Sequence, residues 1–295
     1  MTALTAARAV VADGVRRLVL DADGIPLSGL VCEPVGAPPR AVVVALHGGG
    51  MNAGYFHGQA HPDLSLAVLG ARLGYTVLAI DRPGYGESAA VLPEGMSLRG
   101  QAAALHAALR DFTSRYDRGA GMFLLAHSYG GKLALTAAQD AGDTLLGLDI
   151  SGCGHRYAVE PEELPNTRRH GRFSRNWGAL RLYPPNTFGS SASLVAPVPA
   201  AEEREARSWP GIFPEVAARV RVPVRLTFAE YESWWHHDES AAADLTARFT
   251  AAPRVVLDRQ PHAGHNISLG WAARSYHLRA LAFLEECLSH TGRGR

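Results

Sequence analysis

The stretch Met122-Phe123-Leu124-Leu125-Ala126-His127-Ser128-Tyr129-Gly130-Gly131-Lys132 carries a serine at the end of an apolar run, with small residues two places before and after it. Leu133, Leu135 and Ala138 then follow at helical spacing. The pattern predicts a strand, a sharp turn and a helix, with Ser128 on the turn. A hydroxyl presented for attack must stand clear of the sheet, so its backbone is strained, and large side chains at 126 or 130 would collide with the crowded junction. The amino end of the following helix faces the hydroxyl and favours developing negative charge. The N–H of Tyr129 is positioned to donate to an oxyanion. The chemistry these features suit is attack by an activated hydroxyl on a carbonyl.

Elements that would hold such a site can be read on both sides of it. Ala41–Leu46 is an unbroken apolar run, as expected of a strand buried on both faces of a parallel sheet. It ends in His47-Gly48-Gly49-Gly50, where three glycines allow close approach to a ligand and turn N–H groups toward it. His47 is expected to prop this loop. Val15–Leu20 and Ile25–Glu33 flank Asp23-Gly24 and predict a hairpin. Further along, Leu64–Leu73 and Leu98–Tyr116 read as helices, and Tyr75–Ile80 and Leu145–Ile150 as strands. This alternation calls for a mostly parallel sheet covered on both faces. From Gly152 to about Ala218 the regularity disappears and prolines recur. A strand over Val222–Phe228, a helix over Ala241–Phe249 begun by Asp238 or Ser240, a last strand over Arg254–Leu257 and a helix over Trp271–Leu288 complete the chain.

The serine turn, the His47 loop and the run Asp81-Arg82-Pro83-Gly84-Tyr85-Gly86-Glu87-Ser88 resemble the α/β-hydrolase superfamily, with Ala126 standing where its first elbow glycine is usual. The resemblance implies the α/β-hydrolase fold: a mostly parallel eight-stranded sheet with helices on both faces. It also implies a core of residues 1–151 and 219–295 and a lid insertion over 152–218. Asp81 and Arg82 are expected in a structural network. The second oxyanion donor falls on the N–H of Gly49, with Gly50 as runner-up. In Gly264-His265, after the last strand, His265 takes the position of the base, ahead of His262. The acid stands beyond the preceding strand, where Ala229 takes the glycine position and Glu232 the acid position; Glu230, Asp149 and Asp238 remain alternatives.

A serine hydrolase acting by acyl transfer on an ester, thioester, lactone or amide is the implied activity. Relatives that open epoxides or remove halides use aspartate where this chain has Ser128. Carbon–carbon bond hydrolysis, perhydrolysis and ring closure by an internal nucleophile stay open on the same three residues. The rival of another class is a non-catalytic binding protein on a hydrolase fold.

Between Leu164 and Leu182 the expected lid has Arg168, Arg169, Arg172, Arg175 and Arg181 and no acidic residue, with Phe173 and Trp177 interleaved. One reading is a solvated basic face that pairs with Glu162 and Glu163. The other is a binding site for an anionic acyl substrate, free or carried on coenzyme A or a carrier protein, touched by Arg172, Arg175 and Trp177. The second reading leans toward a thioesterase or esterase of bacterial secondary metabolism.

At 295 residues and 47% hydrophobic the chain can build one large α/β core with an insertion. Its net charge of +1 gives no argument for nucleic acid or acidic membranes. Cys32, Cys153 and Cys287 are far apart and odd in number, which suggests reduced thiols in a cytoplasm. Adjacent histidines such as His236-His237 diverge too far to share a metal, and no cofactor or metal is expected. Lys132 is the sole lysine, an arginine bias typical of GC-rich bacterial genomes.

Overall fold

The computed structural model describes residues 14–164 and 173–291, so Arg168, Arg169 and Arg172 lie outside the described residues. Eight strands form one sheet in the order β1-β2-β4-β3-β5-β6-β7-β8. They are β1 Val15–Ala22, β2 Ile25–Cys32, β3 Val42–Leu46, β4 Thr76–Ile80, β5 Met122–His127, β6 Leu145–Ser151, β7 Val224–Ala229 and β8 Val255–Gln260. The β1–β2 and β2–β4 pairings are antiparallel and the other five are parallel. Asp23 and Gly24 both take positive φ, at 54° and 89°, and close the expected hairpin.

Eight α-helices accompany the sheet among the described residues: α1 Leu66–Arg72, α2 Leu98–Arg115, α3 Tyr129–Ala138, α4 Phe173–Trp177, α5 Thr187–Ser190, α6 Ala200–Ala218, α7 Glu239–Ala247 and α8 Ala273–Thr291. Every residue of β3 and β4 is buried. Along β3 the side chains alternate between two cores. Val42, Val44 and Leu46 join α2, α3 and α6, whereas Val43 and Ala45 join α1 and α8. The fold is the one expected: a mostly parallel sheet with helical layers on both faces.

The connection from β6 to β7 differs from its expected irregularity. It holds α6, a 19-residue helix that contains Pro210 and Pro214. Each proline lacks the N–H that would bond the carbonyl four residues earlier. The carbonyl freed by Pro210 is that of Ala206, and the Tyr157 hydroxyl donates to it at 2.9 Å. Burial of an apolar face, including Trp209 and Phe213, outweighs the two breakers.

All three cysteines are free and buried. Burial pushes the Cys153 thiol up to about 12 and the Cys287 thiol up to about 11, so both remain protonated at neutral pH. No helix of the described residues is long and apolar enough to cross a membrane.

Candidate active site

Ser128 sits between β5 and α3 with φ 53° and ψ −116°, a conformation that L-residues with a Cβ rarely adopt. Two glycines make room for it. A Cβ on Gly130 would run into the carbonyls of Leu46 and His47, and one on Gly48 would come within 3.1 Å of the Ser128 Cβ. The elbow is therefore wedged against the end of β3.

Two loops at the same edge of the sheet deliver the other candidates. Imidazole Nε2 of His265 lies 3.0 Å from the Ser128 Oγ, and its Nδ1 lies 2.7 Å from Oε2 of Glu232. The other oxygen of Glu232 accepts the backbone N–H groups of Ser233 and Trp234 at 3.0 and 2.9 Å. Burial pushes this carboxyl up, but the adjacent His265 and the Trp234 N–H outweigh burial and hold it below its ordinary value. An ionised Glu232 accepts from Nδ1–H, which leaves Nε2 free to accept the Ser128 proton.

The rival acids and base are engaged elsewhere. Asp149 pairs with Arg225 and accepts the Tyr276 hydroxyl at 2.7 Å. Glu230 accepts the backbone N–H of His262 at 2.6 Å, and the His262 ring is largely exposed. Asp238 caps α7, accepting from the Ala241 N–H at 3.1 Å. Of the adjacent histidines, His237 stacks on Phe228.

The glycine loop separates its two candidate donors. Gly50 donates its N–H to the Tyr85 hydroxyl at 3.0 Å. Gly49 and Tyr129 are the remaining pair, Tyr129 being the first residue of α3, where N–H groups lack helical partners. Arg82 supports this loop from behind, donating to the His47 carbonyl at 2.8 Å and to the Gly48 carbonyl at 3.2 Å. The expected network around Asp81 and Arg82 is present, with Asp81 accepting from the Ser28 hydroxyl and the Ala53 N–H. His47 accepts the Arg82 N–H at Nε2 and donates from Nδ1 to its neighbour's carbonyl. Burial, then the nearby guanidinium, hold His47 well below the ordinary histidine value, so it props the loop as a neutral ring.

One member of this network was not foreseen. Glu202 of α6 forms a fully buried ion pair with Arg82 and accepts the Tyr85 hydroxyl at 2.8 Å. A Cβ on Gly49 would lie 3.7 Å from its carboxylate. The nearest signal in the sequence is its flanking Ala201, because the next residues, Glu203, Arg204 and Glu205, repeat the same charged character.

Packing around the base is close. At Gly152, φ is 60°, and a Cβ there would stand 2.9 Å from Cε1 of His265. The Gly152 carbonyl accepts Nε1–H of Trp235 at 2.8 Å. His127 and Tyr55 stack beside this ring, and burial above all holds His127 well below the ordinary histidine value, so it stays neutral.

Of the residues expected to touch substrate, Arg175 pairs with Glu163 at 2.8 Å, the solvated-face reading. Trp177 is buried, with its ring against Tyr183 and Phe188. Its backbone meets the histidine loop closely, because only a glycine at 264 leaves room for the Trp177 carbonyl. Asn266 N–H donates to the Asn176 carbonyl and Trp271 N–H to the Leu182 carbonyl, at 3.1 and 2.9 Å. A second fastening joins the connection to the glycine loop. Ala196 N–H donates to the Gly50 carbonyl at 2.9 Å, and the Asn52 amide donates to the Ser193 carbonyl at 2.8 Å.

A family profile described as "Alpha/beta hydrolase family" matches residues 43–280. The chain belongs to that family. No curated protein sequence matches it. Among solved α/β-hydrolase structures, a thermostable carboxyl esterase from Bacillus coagulans is 15% identical with a TM-score of 0.68, covering 94% of this chain and 100% of its own. The proline iminopeptidase of Mycobacterium smegmatis is 17% identical with a TM-score of 0.65, at 94% and 100% coverage. A thermophilic esterase from Thermogutta terrifontis is 19% identical with a TM-score of 0.62, at 92% and 99% coverage. At these identities the likeness extends to the fold.

Proposed function

We propose that this member of the alpha/beta hydrolase family is a serine hydrolase that cleaves a carboxylic ester, thioester or lactone through an acyl-enzyme on Ser128. The observation that carries the reading is the unbroken line from the Ser128 hydroxyl through both nitrogens of His265 to a buried Glu232 carboxylate. His265 takes the Ser128 proton as Oγ attacks the carbonyl. Glu232 stabilises the imidazolium and holds its tautomer. The N–H groups of Gly49 and Tyr129 receive the negative oxygen. Collapse of the tetrahedral adduct breaks the acyl bond, and His265 returns the proton to the leaving alcohol or thiol. Water then gives a proton to His265 and its oxygen to the acyl carbon, releasing the acid and restoring Ser128.

Esterases stand among the structural relatives and motivate an ester as the first substrate to try, although an iminopeptidase stands beside them. The β6–β7 connection, with α6 over the glycine loop, serves as the lid. With Arg175 already paired to Glu163, nothing at that residue favours a carrier-bound thioester over a simple ester. A fluorophosphonate probe tests the reading. Wild-type protein is expected to be labelled and Ser128→Ala is not; folded wild-type protein that stays unlabelled would favour the binding-protein alternative.

A further inference from the structure

The sole lysine of the chain is buried one helical turn beyond Ser128. Side chains on a helix lean toward its amino end, so Lys132 runs back over Tyr129 toward the elbow. Its ammonium lies 5.3 Å from the centre of the Tyr129 ring. Three more rings enclose it, Tyr157 at 5.2 Å, Trp235 at 5.4 Å and Trp209 at 5.8 Å. They come from the loop after β6, the loop after β7 and helix α6, so four separate segments form the enclosure.

An ammonium has three donors. Among the described residues one of them is used, on the Tyr157 hydroxyl at 2.6 Å. No carboxylate pairs with Lys132 among those residues, and the Glu202 carboxylate is already bound to Arg82. The aromatic faces attract the cation, yet a buried charge without a counter-charge is unfavourable. Burial lowers its pKa to about 8 against smaller upward pulls from Cys153, Glu202 and Glu205, none of them in ion-pair contact with it, so it is still charged at neutral pH. Beside it, the Tyr129 side chain is 6% exposed and its hydroxyl has no hydrogen-bond partner. The enclosure thus holds a cation with one of its three donors in use and a phenol that lacks an acceptor among the described residues.

This enclosure shares walls with the reacting groups. Tyr129 follows Ser128 directly. Trp235 holds the Gly152 carbonyl, and Gly152 is the residue pressed against the His265 ring. The geometry points to a subsite here for a carboxylate on the acyl part of the substrate, bound by the Lys132 ammonium and the Tyr129 hydroxyl, so that half-esters of dicarboxylic acids are preferred. The inference rests on the serine-hydrolase reading and names its substrate class. It moves anion recognition from the arginines of the connection to a lysine on the nucleophile's own helix.

Mono-4-nitrophenyl esters of succinate, glutarate and adipate, each compared at pH 7 with its methyl-capped neutral counterpart, test it. Wild type is expected to favour the free acid by about tenfold or more in kcat/KM at one of these lengths, the range for a buried polar site meeting its partner. Lys132→Met is expected to remove that preference, and Tyr129→Phe, which loses one oxygen and keeps the ring, to reduce it by about threefold. Tyr129→Phe carries the test if Lys132→Met does not fold. Equal or better cleavage of the capped esters by wild type at all three lengths overturns the subsite while leaving acyl-enzyme chemistry standing. A parallel loss on acid and capped ester in both variants does the same, and assigns the enclosure to holding α6 against α3. Absence of ester cleavage together with absence of fluorophosphonate labelling removes the underlying reading as well.

Discussion

Among the described residues two arginines are buried against carboxylates, and their partners differ in kind. Arg225 of β7 pairs with Asp149 of β6 and Asp258 of β8, on neighbouring strands whose registers the backbone ladders already hold. Arg82 joins segments that share no ladder: the glycine loop after β3, Gln101 on α2 and Glu202 on α6. The same chemistry reinforces a rigid region in one place and sets the position of a loop in the other. Loss of the first is therefore a matter of stability, whereas loss of the second reaches the glycine loop and with it the proposed oxyanion site.

The sharpest way to break this comparison is to exchange the roles of the carboxylates. Glu232→Gln is expected to lower kcat by about 10³–10⁴-fold, the scale for a triad acid made neutral, and Asp149→Asn to leave it within about threefold. Steady-state ester hydrolysis measures both, and a collapse of activity in Asp149→Asn would make that residue the acid instead. Next in size, Glu202→Gln is expected to reduce kcat by about 10- to 100-fold with KM little changed, because a displaced oxyanion donor acts on the transition state. If kcat stays at the wild-type level, Arg82 does not transmit the position of α6 to the loop. In urea unfolding, Asp149→Asn is expected to lose about 3 kcal/mol or more, since it leaves a buried guanidinium short of one partner. A loss under about 1 kcal/mol would mean that Asp258 alone satisfies Arg225.

A third buried cation extends the series, because Lys132 has no paired carboxylate. Its folded pKa of about 8 lies below the ordinary value of roughly 10.4. Between these values the unfolded chain binds the additional proton, so this group's contribution to stability rises with pH. The Tm of wild type should gain on that of Lys132→Met by on the order of 2–4 °C between pH 8 and 10. Parallel Tm curves would show that the ammonium is not strained by burial.

Ser128, His265 and Glu232 could be found from sequence because covalent neighbours reveal them. Small residues at 126 and 130 mark the elbow, Gly264 precedes the proposed base, and Ala229 stands three places before the proposed acid. The hairpin and the buried strands were legible for the same local reason. Glu202 was not, since its partner Arg82 is 120 residues away and a buried glutamate in a charged helix looks like its exposed neighbours. The prolines of α6 read as breakers, although Tyr157 and a buried apolar face compensate for them. Trp177, expected at substrate, is buried against Tyr183 and Phe188, and aromatic character alone does not separate a residue that lines a site from one that packs behind it.

The two fastenings of the β6–β7 connection bear on how anything enters. Residues 176–183 are stitched to the histidine loop, and residues 193–202 to the glycine loop and Arg82. Swinging either stretch outward drags one half of the machinery with it. Between the two stretches, Gly189, Ser190, Ser191 and Ala192 carry little side-chain bulk, so among the described residues this short span is the one that neither fastening holds.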